Sequence, residues 1–239
     1  GKELLIPKEV MSLINQEVAG YGELVKHVNK ITLNGEGRIT FNAGTPKLFW
    51  TEQCESLKEA VIGEIQEIEL DGYKLGGYVF LCKAFIEDAI IDVADYIVKE
   101  FAQAIAIALD EAIINGKGAS AKEPEGILTA LASDEEKQVK NLLGLLGAVG
   151  ELNARAKNVK LVVNRATYYS RILPETYGKD SNGRIVYGLD QKLPDGTQVV
   201  ISEAVANDKF VLGDFKQYVL AERKGMTFDT SDQVRWIEE

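Results

Sequence analysis

The run from Lys83 to Asn115 limits the possible folds more than any other feature. It reads as one uninterrupted helix, roughly 50 Å long at about 1.5 Å per residue. Asp88, Asp92, Asp95, Lys99, Gln103 and Asp110 recur at helical spacing along one stripe, while most other positions are apolar or small. Such a wide apolar surface predicts a helix covered on most sides, with its polar stripe facing solvent or an interface. Asn115, Gly116 and Gly118 predict the stop. A compact domain of this size does not need a helix so long.

The stretch before this helix lacks the means to build a core. Asn34, Gly35 and Gly37 mark a turn, Arg38 to Asn42 alternates polar and apolar, and Ala43 to Pro46 breaks the pattern. Glu64 to Leu70 alternates again, with a slip at Gln66 and Glu67 that predicts a bulge. Two such strands joined by a long connection give a hairpin that is marginal by itself, so it must rest on another surface. Further upstream, Val10, Leu13, Ile14 and Val18 predict a short helix near Lys8 to Glu17, itself in need of support. The segment 71–82 reads as a turn and then a strand.

Beyond the long helix, residues 131–208 read as an α/β unit. Asp134 is the expected cap of a helix from Glu135 towards Ala156, with Leu142, Leu143, Leu146, Val149 and Leu152 as its buried side. Val159 to Val163 and Gln198 to Ile201 are expected buried strands, and Arg165 to Leu173 a second helix. Pro194, Asp195 and Gly196 form a turn signal before the later strand. Strand-like pieces follow at Phe210 to Leu212, Tyr218 to Ala221 and Val234 to Ile237. The fold class is α+β.

Composition excludes several functions. With 46% hydrophobic and 27% charged residues, the chain has the makings of a folded core, which excludes global disorder. The net charge of −10, with no run of Lys and Arg, argues against sequence-specific nucleic-acid binding. No apolar run approaches the roughly 20 residues that a membrane span requires. The chain starts at Gly1 with no signal-peptide pattern, and Cys54 and Cys82 read as separate thiols in a reducing compartment. His27 is the only histidine and has no serine or carboxylate pattern around it. Gly116 to Ser120 (GKGAS) follows a helix, the wrong polarity for a phosphate loop. No catalytic, cofactor-binding or metal-ligating residue is predicted, and no cofactor.

Several short patterns then line up in order. Trp50-Thr51-Glu52 precedes IELDGYKLGGYVFL, and Phe85 to Ala89 with Asp92 opens the long helix. Asp110, Ala112, Gly116, Gly118, Pro124 and Gly126-Ile127-Leu128 close it. Gly196 to Ser202 and then Gly213-Asp214-Phe215, Tyr218, Leu220, Arg223 and Gly225 complete the series. In this order the chain resembles the major capsid proteins of tailed phages with the Hong Kong 97-type fold.

That resemblance implies an N-terminal arm at 1–33 and an extended β-hairpin loop at 34–70. It also implies a peripheral domain at 71–130 and 209–239 around a long spine helix, and an axial domain at 131–208. The implied function is structural: hexamers and pentamers of one chain closing into an icosahedral phage head around double-stranded DNA, with no sequence-specific contact and no membrane. Portal, scaffold or protease proteins would be partners during assembly in the bacterial host cytoplasm, and the product would be a virion capsid. A nanocompartment shell of the encapsulin type is the alternative, and an α/β enzyme a remote third.

The subunit-interface candidates are Lys47, Phe49, Trp50, Glu52, Lys58 and Glu59 in the loop, and Gly178, Gly183 and Gly188 near a symmetry axis. Family members end in a further strand and sometimes cross-link a loop lysine to a late asparagine. Here Lys47 or Lys58 would offer the amine, but no asparagine follows Asn207, so cross-linking is not expected.

Overall fold

The computed structural model describes residues 22–33, 37–42, 65–70, 72–77, 93–131, 136–176, 178–179, 182, 185–187 and 190–222. Two compact units emerge: residues 1–30, 73–220 and 226–239 form one, and 31–72 with 221–225 the other.

The larger unit is organised by strand β4 (Val159–Val163), which lies between β7 (Gln198–Ile201) and β8 (Phe210–Asp214). β7 runs parallel to β4 and β8 antiparallel to it. Successive residues of a strand face opposite sides, and the apolar run Leu161-Val162-Val163, fully buried, supplies both. Leu161 and Val163 pack with Val199, Leu145, Tyr168, Ile172 and Leu193 in one cluster. Val162 joins Val200, Val211, Ile113, Ile114, Val205, Phe215, Leu24, Val25 and Val28 in the other. A thin sheet therefore separates two cores, each fully buried aliphatic side chain contributing about 1.5–3 kcal/mol. The strand at Phe210–Asp214, which starts past residue 208, is hydrogen-bonded directly to β4.

On one side of the sheet lies helix α1 (Val93–Asn115), about 35 Å long. The residues before Val93, where the long helix was expected to begin, fall outside the described ones. Val98, Ala102, Ala106, Ile113 and Ile114 are buried at helical spacing, but Tyr96 and Ile107 are 50% and 62% exposed. Among the described residues one side of α1 is buried, while Tyr96 and Ile107 face away from it. A correction concerns Asp110, expected on the polar stripe but 8% exposed and hydrogen-bonded in the core.

On the other side lie α3 (Leu142–Glu151) and a helical run in three parts: Arg165–Thr167, a π-helical turn at Tyr168–Ile172, and Leu173–Thr176. A short helix, α2 (Ile127–Ala130), precedes α3. α3 starts later than expected. Residues 136–140 are not helical, and Asn141 rather than Asp134 caps α3, its Oδ1 accepting from the Gly144 N–H at 2.9 Å. The Glu175 carboxylate accepts from the Leu142 N–H, holding the first turn against the later helical run. Leu143 is 76% exposed and Leu145 is buried in its place. The sequence LLGLLGAVG is apolar or glycine at every position, so its pattern carries no phase. Asn164 caps the run at Arg165 by accepting from the Thr167 N–H at 2.7 Å.

Part of the segment expected as an arm packs against the larger unit's core. Leu24, Val25 and Val28 are 0–3% exposed and belong to the core beneath the sheet, so residues 22–28 are an integral part of this unit. The helix expected near Lys8 to Glu17 lies outside the described residues. After this segment, β1 (Asn29–Thr32) pairs with β9 (Val219–Glu222).

In the smaller unit, β2 (Gly37–Asn42) and β3 (Ile65–Leu70) form the expected antiparallel hairpin. The register runs unbroken from Gly37 opposite Leu70 to Asn42 opposite Ile65. The expected bulge is absent, because Gln66 and Glu67 simply fall opposite Phe41 and Thr40. β5 (Gly178–Lys179) and β6 (Ile185–Tyr187) make a small hairpin elsewhere in the larger unit.

Candidate functional site

Three sequence-distant patterns converge at the C-terminal end of α1. The first is a carboxylate latch. Asp110 projects from the last turns of α1, and its two oxygens accept from the backbone N–H groups of Glu23, Leu24 and Val25 at 3.0–3.3 Å. Those residues open a turn in which the Val28 and His27 N–H groups donate to the Leu24 carbonyl. Successive N–H groups facing one anion form a nest. Burial pushes the Asp110 carboxyl above its ordinary value, and the N–H donors of Leu24, Glu23 and Val25 oppose that rise.

The second is a glycine clamp. Past Asn115 the chain doubles back through Gly118, with φ at +76°, and a 3-10 turn at Ala119–Ala121. It returns so that the Gly126 N–H donates to the Gly116 carbonyl at 2.8 Å and the Gly118 N–H to the Pro124 carbonyl at 3.2 Å. A methyl on Gly116 would overlap the carbonyl oxygens of Pro124 and Ala112, and one on Gly126 would overlap Ile114. The Thr129 hydroxyl also donates to the Gly116 carbonyl at 2.7 Å. Glycine is required here because two backbones touch.

The third is the segment Gly213 to Tyr218. Burial would raise the Asp214 carboxyl, but N–H donors from Asn158, Lys216 and Lys157 hold it below its ordinary value. It thereby fixes both the entry to β4 and the 3-10 turn at Phe215–Gln217. Phe215 enters the core beneath the sheet, and the Tyr218 hydroxyl donates to the Glu125 carbonyl at 2.9 Å, tying this segment to the clamp. Replacing Tyr218 with phenylalanine removes that bond and leaves the carbonyl to water. A loss of about 1 kcal/mol is expected in chemical denaturation, with the midpoint falling and the slope unchanged.

This junction holds elements together. Among the described residues no three His, Cys, Asp or Glu side chains are grouped to hold a metal ion, and no helix is long and apolar enough to cross a membrane. His27, on the docked turn, is lowered by burial and then by Lys160.

A family model described as the phage capsid family matches residues 3–236. The chain belongs to the phage capsid family. The major capsid protein of Escherichia phage T5 is 26% identical over 204 residues, which is 73% of this chain and 42% of that protein. The chain thus spans less than half the length of that curated relative. Among solved structures, the capsid of a native GTA particle computed with C5 symmetry is similar with a TM-score of 0.64 at 20% identity, over 84% of this chain and 76% of the other. A structure from Mycobacterium phage Cain gives 0.58 at 18% identity, over 86% and 72%. These two likenesses concern the fold.

Of the interface candidates, Lys47, Phe49, Trp50, Glu52, Lys58 and Glu59 lie outside the described residues, as do Gly183 and Gly188. Gly178 opens β5, opposite Tyr187. The residues that converge are others: Asp110, Gly116, Gly126, Asp214, Phe215 and Tyr218. All six stand in the aligned patterns, and Asp110 was nonetheless read as a stripe residue. Leu24, Val25 and Val28 went unread, although their spacing signals a helical turn with one apolar face.

Proposed function

We propose that this chain is a major capsid protein of the Hong Kong 97-type, a shell subunit whose working form is a lattice of identical copies. One observation carries the reading: the family match runs from residue 3 to 236, and the pattern residues within the described regions are spent on holding the scaffold. Asp110 latches the N-terminal turn, Gly116 and Gly126 clamp the end of α1, and Phe215 and Tyr218 fasten β8 and β9 to both. A protein with this role needs a rigid plate more than a pocket. Tyr96 and Ile107 on α1, and Leu143 and Tyr169 on the opposite layer, stay exposed in the single chain and suit burial between copies.

In this reading residues 34–70 form the extended loop, 71–130 with 209–239 the peripheral domain, and 131–208 the axial domain. Residues 1–33 form the arm, whose later part packs into the core beneath the sheet. Hexamers and pentamers close by heterologous contacts repeated around symmetry axes, enclosing double-stranded DNA without base-specific contacts. Portal, scaffold and protease partners act during assembly in the host cytoplasm, and the end product is the virion capsid. No catalytic step is assigned to the chain. Negative-stain microscopy with analytical sedimentation of the purified protein provides the test. Rings or closed shells are expected as concentration rises, and a strictly monomeric species at high concentration would overturn the proposal.

A further inference from the structure

The chain carries ten more negative than positive charges at pH 7, and its lysines are scattered in sequence. Folding nevertheless gathers several around one concavity. A cavity of about 430 Å³ is lined by Val25, Lys26, Val28, Asn29, Lys30 and Lys216. Lys160 lies close enough, with Lys216 and Lys26, to act electrostatically on His27 of the same turn. Glu23 is the acid that acts on His27 from this side, and it pairs with Lys26 at 3.2 Å. The Lys216 ammonium donates to the Val28 carbonyl at 3.1 Å and that of Lys160 to Gln198 Oε1 at 2.6 Å. These bonds hold both ammonium groups in place. An ammonium has three N–H donors, so each retains capacity for an anion.

From this arrangement we propose that the lysine-lined cavity between the docked turn and Lys216 is a docking site for a carboxylate-bearing segment of a second copy of this chain. Charge complementarity selects that occupant. Each copy carries 37 Asp and Glu against 27 Lys and Arg, so a second copy offers carboxylates in excess, and a local positive concavity attracts one and sets its register. The shape agrees. A local concavity with three lysines suits one acidic segment, whereas a duplex backbone is tracked by a longer basic stripe.

This inference rests on the shell reading, and the experiment keeps the two apart. Shells assembled from an equal mixture of nitrogen-14 and nitrogen-15 protein are treated with a carbodiimide, which joins a lysine amine to a carboxylate in contact with it, with loss of water. Mass spectrometry is expected to find mixed-isotope pairs linking Lys26, Lys30 or Lys216 to Asp or Glu. In parallel, Lys30→Glu, a change at an exposed strand position, is expected to raise the protein concentration for half-assembly about tenfold at low salt. Its thermal unfolding in the unassembled state should match the parent. Same-isotope pairs only, protection of these lysines by DNA instead of by protein, or an unchanged assembly midpoint for Lys30→Glu would each overturn the docking site while leaving the shell intact. Failure of the parent chain to assemble would overturn both.

Discussion

Alanine at Gly116 or Gly126 is expected to destabilise the protein by about 3 kcal/mol or more, lowering Tm by roughly 6–12 °C for a chain of this length. The cost arises from geometry. At Gly116 the added methyl meets two backbone carbonyl oxygens, and at Gly126 it meets the backbone of Gly116 and Ile114. None of these is the far end of a flexible side chain, so relief requires the returning strand to move away. That movement breaks the bond from the Gly126 N–H to the Gly116 carbonyl and strains the Tyr218 contact with Glu125. Gly147 is the internal control. It lies within α3, where an added methyl would meet nothing within 4 Å. Alanine there should be neutral or stabilising by up to about 1 kcal/mol, because it lowers the entropy of the unfolded chain and favours helix. Calorimetry on the three variants checks the ordering, and equal losses at all three would contradict the close-approach account.

Asp110→Ala has the second largest expected effect, about 2–4 kcal/mol, since it leaves three N–H groups of a buried turn without their acceptor. Asp110→Asn is not a gentle substitute. Both carboxylate oxygens accept, so an amide nitrogen in either place sets donor against donor. The pH dependence has a diagnostic sign. With the folded-state value raised, the native chain holds this proton more tightly than the unfolded chain does. The contribution of Asp110 is therefore fully present below the ordinary carboxylate range and declines as pH rises through the raised value. The difference in unfolding free energy between parent and Asp110→Asn should shrink as pH increases across the acid range. A difference that grows would mean the N–H donors outweigh burial.

Much of the framework was legible because local pattern and tertiary need agree. Val159 to Val163 reads as a buried strand since it serves two cores, and the alternation of Arg38 to Asn42 and Ile65 to Leu70 finds its partner in a continuous register. The glycine clamp was visible as a pattern, Gly116 to Leu128, before its cause was. The misreadings share another origin. In α3 almost every position is apolar or glycine, so nothing in the sequence says which face turns inward, and Leu143 and Leu145 exchange roles. Asp110 continues a polar stripe by spacing alone. Its acceptors are satisfied by residues more than 80 positions earlier, a pairing that no helical period encodes. The start of α3 went to Asn141 because Glu175, distant in sequence, binds the first-turn N–H of Leu142.

The docking of Leu24, Val25 and Val28 beneath the sheet also sets a limit on how far the chain can be shortened from its beginning. Gly22 is itself buried, so shortening the chain up to that residue already disturbs the docked turn. One step further withdraws the stopper from the core and uncovers the greasy undersides of Ile113, Val162 and Phe215 together. The fold itself thus supplies a ruler for any shortening from that side.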